Sequence, residues 1–371
     1  MVPIVKLPLL VLLFVSGSFV LADKAVEAPR FVLDLDAPPE HRWSHIIDHW
    51  GKNEVQKDID IIVKRYVPQA LVPALELIAK DIDKYLPSPY KEEITGMAAY
   101  AGVNLGELVA LNIIYDISAF CTSIVAQDSN GVIWHGRNLD YQFVDVLRNI
   151  TLIYDAQKNG ETVYTATTFL GYTGVLTGMK PNGFTVSVDQ RNTGSIIDNL
   201  IELVSALLQD KSYFVSFLVR DTLLYHKYFH DAVESLAYTE IVASVYYIVG
   251  GVGPGEGAVI TRNRKSAQDV WFIDTDQNRW FLVETNYDHW KPPPSHDDRR
   301  TPANKAMIQI GQDKVNDKKI YGVLSTAPLL RSSTAYTATM SASHPSVYDT
   351  WSRYVEKQKG EISPEDFKRC A

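Results

Sequence analysis

Phe120-Cys121-Thr122-Ser123-Ile124-Val125-Ala126-Gln127-Asp128 divides this chain into a helical first third and a strand-rich remainder. Upstream, Leu71, Leu75, Ile78, Ile82 and Tyr85 recur at steps of four and three, an apolar stripe along one helix face that Pro87 and Pro89 stop. The stripe reads as core packing, or else as an exposed face that docks on lipid. Residues 30–36 read as a short strand ended by Pro38-Pro39. Helix is expected from about His41, and over 94–117 as two helices broken at 102–106. Downstream, strands are expected over 122–126, 132–135, 151–154, 162–169 and 184–188, with Asn159-Gly160 and Asn182-Gly183 as hairpin turns. Helices over 196–208 and 215–238 follow, then strands over 245–249, 258–262, 270–274 and 280–285. Helices, strands, helices, strands, with hairpins inside each strand block, imply an α+β fold. Its expected form is a four-layer αββα sandwich of two antiparallel sheets with a helical N-terminal segment. The charged tail after about Trp351 reads as peripheral.

Of 371 residues, 46% are hydrophobic and 22% charged, enough to build a core and too ordered a composition for wholesale disorder. Residues 1–22 read as a signal peptide: Lys6, an apolar run over 9–14, then Val20-Leu21-Ala22 as a small-residue cleavage site. The apolar run is shorter than the ~20 residues a membrane span needs. The mature chain is therefore expected to be lysosomal or secreted. Such compartments favour disulfides, yet only Cys121 and Cys370 are present. They form one bridge, or Cys121 is kept free for chemistry. Asn149-Ile150-Thr151 is a glycosylation sequon, placed here in an expected strand.

The net charge is −8, and Lys6 is the sole charge of residues 1–22, so its removal gives −9. Protonating all nine His in acid brings the total near zero. That suits approach to an anionic lipid surface. Nucleic acid is excluded as a partner, because no basic stripe exists. His41, His45 and His49 share a helix face, but Trp43, Ile46, Ile47 and Trp50 between them mark an ordinary amphipathic helix and no metal is implied. The glycines over 250–257 join two strands without the spacing of a dinucleotide cradle, so no cofactor is implied either. The prolines at 292–294 lead to Asp297-Asp298-Arg299-Arg300, read as a rigid loop carrying charges.

A lone cysteine at the start of a strand is usually a small hydrophobe. A nucleophilic one needs a nearby cation or base to support its thiolate. Trp134-His135-Gly136-Arg137-Asn138-Leu139-Asp140-Tyr141 offers both Arg137 and Asp140, although the two also fit a structural ion pair. By the same token Asn286 fits a turn and Arg299 a surface charge.

Together with 171–174, 259–264, 284–291 and 297–301, these stretches closely resemble the acid amidases that hydrolyse N-acylethanolamines, and their sister acid ceramidases, within the N-terminal-nucleophile hydrolases. The resemblance runs from about residue 28 to about 340. It implies self-cleavage between Phe120 and Cys121 in acid, into an α fragment (23–120) and a β fragment (121–371). It implies Cys121 as nucleophile with its new α-amine as base, Asp140 as anchor of that amine, and Arg137 as electrostatic support. It also implies the Asn286 side chain and the Tyr141 backbone N–H as oxyanion donors, and Arg299 as holder of the polar network. Neither metal nor diffusible cofactor is implied. The resemblance departs at Asp189-Gln190-Arg191, where the family carries Glu; Gln190 cannot trade a proton, so maturation is expected to be slow or to use Asp189. The short stretch over 140–168 and the lack of extra cysteines favour a fatty ethanolamide such as palmitoylethanolamide over ceramide. A channel lined from the 71–86 and 196–208 helices is expected to take the acyl tail. Ceramide hydrolysis and a catalytically weak lipid-binding homologue remain the alternatives.

Overall fold

The computed structural model describes residues 23–67, 69–115, 120–141, 143–191 and 213–356. The signal peptide, the 196–208 helix and Cys370 lie outside them. The chain opens with β1 (Asp23–Glu27) and β2 (Arg30–Asp34), and then six helices: α1 (Ser44–Trp50), α2 (Lys52–Tyr66), α3 (Val72–Lys80), α4 (Ile82–Tyr85), α5 (Tyr90–Ala101) and α6 (Leu105–Tyr115). Gly102, in the left-handed region at φ +71°, ends α5 without the steric cost a Cβ would carry. Asn104 then accepts from the N–H of Gly106 at 2.7 Å and starts α6. Leu75 and Ile78 are buried in the main core, so the 71–85 stripe packs inward and is not a free lipid face.

The second half supplies β3 (Phe120–Gln127), β4 (Ile133–Asp140), α7 (Val144–Ile150), β5 (Thr151–Lys158), β6 (Glu161–Phe169), β7 (Thr177–Lys180) and β8 (Phe184–Gln190). Then follow α8 (Val215–Tyr225), α9 (Phe229–Tyr238), β9 (Val245–Gly250), β10 (Gly257–Arg262), β11 (Ala267–Phe272), β12 (Phe281–Glu284), α10 (Arg300–Ile310), α11 (Asp317–Leu324), β13 (Thr334–Met340) and β14 (Tyr348–Val355). The turn residues Asn159, Gly160 and Asn182 all have positive φ, as their hairpins require. One sheet runs β1-β14-β13-β4-β3-β12 and the other β11-β10-β9-β8-β7-β6-β5-β2. Every pairing is antiparallel except β2 with β5, which is parallel.

The sheets stack face to face around Val125, Ile133, Tyr246, Ile248, Val259 and Leu282. Helices α10 and α11 cover the outer face of the first sheet, where Ile124 and Ala126 meet Ala303, Met307, Ile320 and Leu324. Helices α8 and α9 cover the second sheet, beside the N-terminal helices, with Tyr90 stacked on Phe217 at 3.8 Å. The architecture is the αββα sandwich.

Several boundaries differ from expectation. The N-terminal segment also supplies one strand to each sheet. The tail is not peripheral as far as Val355: β14 lies between β1 and β13. The 215–238 helix is two helices, broken at 226–228. Asn149 stands exposed at the end of α7 and not in a strand, since the chain turns there before entering β5. Of the 297–300 charges Asp297, Arg299 and Arg300 are buried, because each finds a partner in the interior, while Asp298 is half-buried.

Candidate active site

Strand alternation builds the site. On β3, Cys121, Ser123 and Val125 face the second sheet, while Ile124 and Ala126 face α10 and α11. On β4, His135 and Arg137 face inward with them, and Asn138 faces outward, donating to the Leu324 and Leu329 carbonyls at 2.8 and 3.0 Å. Arg137 Nη2 thus reaches Cys121 Sγ at 2.6 Å, and Nη1 is held by Leu176 O at 3.0 Å and Thr177 Oγ1 at 2.9 Å. Both residues are fully buried.

Asn286, just past β12, sits at the other end of Cys121. Its Oδ1 accepts the Cys121 backbone N–H at 2.9 Å and Arg299 Nη2 at 2.7 Å, and its Nδ2 donates to Gln190 O at 2.7 Å. Arg299 Nη1 also donates to the Cys121 carbonyl and, at 3.2 Å, to Thr122 Oγ1. Asp297 anchors Arg299 bidentately, at 3.0 and 2.8 Å, and its Oδ1 also accepts from Arg331 Nη2. Asp140 pairs with Phe120 across the β3–β4 ladder. Its Oδ1 accepts from Thr334 Oγ1 at 2.6 Å, while Oδ2 is buried with no partner among the described residues. The Tyr141 N–H donates to Ser333 O at 2.9 Å in the intact chain.

Burial raises the Cys121 thiol well above the ordinary thiol range, against the pull of Arg137. Burial opposes the charge of Arg137 too, but the neighbouring Cys121, Tyr336 and Asp189 outweigh it and keep the guanidinium charged. Asp140 is raised by burial despite Arg331 and Arg299. Asp297 is lowered: burial opposes its charge, and Arg299 and Arg331 prevail. With two firmly charged guanidiniums against its sulfur and carbonyl, Cys121 is placed for nucleophilic chemistry on an acyl group.

The structure therefore gathers Cys121, Arg137, Asn286 and Arg299 in direct contact, with Asp140 one ladder position away. The Tyr141 N–H is engaged elsewhere in this state. Sequence reasoning gave no role to Ser123, Ser187 or His135, which join Asp189 in a buried polar chain beside Arg137. The signal was available as alternation: Thr185, Ser187 and Asp189 recur at every second position of a buried strand. The 171–174 motif is structural. Asn112 of α6 receives both the N–H and the hydroxyl of Thr173 at 3.0 Å, which ties the first third of the chain to the second sheet. Among the described residues, a groove of about 550 Å³ lined from Pro254 to Arg279 includes none of the site residues. No group of three metal-ligating side chains occurs among them, and no described helix is long and apolar enough to cross a membrane.

Residues 26–86 match the family model described as the beta subunit of N-acylethanolamine-hydrolyzing acid amidase. Residues 121–313 match linear amide C-N hydrolases of the choloylglycine hydrolase family, a match that begins at Cys121. The chain is 43% identical over 347 residues to the N-acylethanolamine-hydrolyzing acid amidase of Rattus norvegicus, covering 94% of this chain and 95% of the relative. It is 35% identical over 330 residues to the acid ceramidase of Homo sapiens, covering 83% and 82%. A solved structure of the Caenorhabditis elegans N-acylethanolamine-hydrolyzing acid amidase ortholog superposes with a TM-score of 0.58 at 39% identity, covering 62% of this chain and 99% of that one. Buried sulfur, paired guanidiniums and these likenesses converge: the chain belongs to the N-acylethanolamine-hydrolyzing acid amidase family, and so to the hydrolases of linear amide C–N bonds.

Proposed function

We propose that this protein is a lysosomal cysteine amidase that cuts its own Phe120–Cys121 bond in acid and then hydrolyses N-acylethanolamines to fatty acid and ethanolamine. The observation that carries this reading is the contact of Arg137 with Cys121 Sγ at 2.6 Å, with Asn286 on the Cys121 backbone N–H. In self-cleavage the sulfur attacks the Phe120 carbonyl carbon, the acyl group passes from nitrogen to sulfur, and the thiol proton ends on the freed amine. Water then hydrolyses the thioester. The new α-amine, with an ordinary pKa of ~8, serves as base and later acid in amide hydrolysis. Asp140 Oδ2, which has no partner among the described residues, is available to hold that ammonium. Asn286 Nδ2 and the Tyr141 N–H serve as oxyanion donors once released from Gln190 O and Ser333 O. Arg299 fixes Asn286. The two fragments remain each other's partners, and charge neutralisation in acid supports transient contact with anionic lipid.

The likeness to acid ceramidase favours ceramide as a second substrate. Replacing the nucleophile tests the main reading: Cys121→Ala is expected to stay a single chain and to hydrolyse no amide. Normal processing or activity in that variant would overturn it. Parallel assays on an N-acylethanolamine and on ceramide, in acid with detergent, separate the two substrates; faster turnover of the ethanolamide is expected.

A further inference from the structure

Arg137 Nη2 faces three acceptors. It donates to Cys121 Sγ at 2.6 Å and to Val188 O at 3.1 Å, and it stands 3.5 Å from Asp189 Oδ1 as an ion pair. Because Nη1 is fixed by Leu176 and Thr177, the guanidinium cannot swing away from any of them. Asp189 is equally fixed. Ser123 Oγ donates to its Oδ1 at 2.8 Å and meets Ser187 Oγ at 2.9 Å; His135 Nε2 holds Ser187 at 3.0 Å, and His135 Nδ1 meets Thr185 Oγ1 at 2.9 Å. All of these side chains are buried. Asp189 Oδ2 has no partner among the described residues. A buried carboxyl with one oxygen unsatisfied costs stability.

We propose that Asp189, anchored by Ser123, is a positioning residue for Cys121 that holds Arg137 over the sulfur and competes with the thiolate for its charge. The proposal rests on Cys121 being the nucleophile and names what regulates it. Charge balance decides the outcome. In a dry space one guanidinium offsets one anion well and two poorly. While Asp189 is ionised, a thiolate is the second anion on Arg137; once Asp189 is neutral, Arg137 belongs to the sulfur alone. The charged groups facing Asp189 are Arg137 and Asp140 from β4, Cys121 from β3, Arg299 from the head of α10 and Glu284 from β12. His135 stays neutral, because burial holds it down to about 3. Burial pushes Asp189 up to about 7 against Arg137 and Ser123. The carboxyl is therefore neutral in acid and takes its charge near neutrality, where it shares the charge of the fixed Arg137 with the sulfur. No proton passes through Asp189: in self-cleavage the thiol proton goes to the leaving nitrogen.

The test is the pH profile of Phe120–Cys121 cleavage in the full-length precursor, followed by mass, for wild type, Asp189→Asn and Ser123→Ala, with circular dichroism to verify folding. Asn keeps the shape and the Ser123 hydrogen bond without the charge. Rates of wild type and Asp189→Asn are expected to agree within about twofold below the Asp189 ionisation. Above it the wild-type rate falls and that of Asp189→Asn does not. Ser123→Ala, which removes a hydrogen bond favouring the charged form, moves the wild-type fall to higher pH. Superimposed profiles, or loss of cleavage in folded Asp189→Asn at every pH, overturn the proposal. If Asp189→Asn does not fold, an unmoved fall in Ser123→Ala overturns it. A wild type that is cut but whose profile neither variant moves sinks this inference alone; a wild type uncut at every pH sinks the nucleophile as well.

Discussion

Cys121 is fully buried, and burial raises its thiol far above the ordinary range. The sulfur therefore depends on its neighbours for reactivity, and Arg137 is the neighbour in contact. Arg137→Lys is expected to slow self-cleavage sharply with little loss of fold. An ammonium cannot reach the sulfur, Leu176 and Thr177 together, as a planar fork does. Timed mass measurement of the precursor checks this, and a variant cleaving at the wild-type rate would contradict it. In the mature enzyme, Asn286→Ala is expected to lower amide turnover by about 10²–10³-fold, the usual loss for one oxyanion donor; steady-state kinetics reads it. The grouping of Cys121, Arg137, Asn286 and Arg299 was legible in the sequence because long motifs carried the resemblance. Asp189 was named there only as a substitute for Gln190 in maturation, and its link to Ser123 was not legible, since a serine or aspartate in a strand has the same letter whether it faces a neighbouring sheet or water. Only the stacking of the sheets reveals that Ser123 and Asp189 meet.

At the scale of elements, the β3–β4 hairpin decides which side chains share a face. Its register, Cys121 opposite Leu139 and Ser123 opposite Arg137, follows from a connection that Asp128 folds by accepting the N–H groups of Asn130 and Val132 at 2.8 and 3.0 Å. Gly136 belongs to the outer face of this hairpin, and a Cβ there would lie 2.4 Å from Ile320 Cγ2. Gly136→Val is thus expected to force α11 off the sheet, at about 1–3 kcal/mol. A lowered urea midpoint with an unchanged slope is the expected result, and an unchanged midpoint would contradict this packing. The early strands and hairpins were legible through alternation and Asn-Gly turns. Strand β13, Thr-Ala-Tyr-Thr-Ala-Thr-Met, was not: it is buried throughout, and threonines that hydrogen-bond in the interior hide the period of two. The preference for a charged peripheral tail failed for a related reason, since Arg353 of β14 is buried and donates to Thr337 and Ser325.

Across the whole molecule, the two segments that meet at Phe120–Cys121 are interlocked. Strand β1 pairs with β14 and β2 with β5. Glu93 of α5 takes Arg220 of α8 bidentately at 2.7 Å, with half-buried Arg42 at 3.0 Å and buried Trp43 at 2.8 Å. Burial opposes the Glu93 charge, but Arg220, Trp43 and Arg42 outweigh it and lower its pKa. Its contribution is therefore present above the ordinary carboxylate range and lost as pH falls through the lowered value. Glu93→Ala leaves Arg220 buried and unpaired, so a loss of about 3–5 kcal/mol is expected, read by chemical denaturation. Asp189 acts in the opposite sense. Raised to about 7, it favours the folded state in acid and withdraws that support as pH rises to neutrality, at about 1.4 kcal/mol per pH unit. His135, held down to about 3, costs stability as pH falls below the ordinary histidine value. Asp189→Asn is accordingly expected to gain stability over wild type near pH 8 and not near pH 4, and equal melting shifts at both would contradict the assignment. Self-cleavage to a catalytic Cys121 is read most directly by incubating the purified full-length chain in acid and sequencing the new N-terminus. One break is expected, with a fragment that begins at Cys121 and amide hydrolysis that appears with it; an intact Phe120–Cys121 bond in a protein that hydrolyses the amide would contradict this reading.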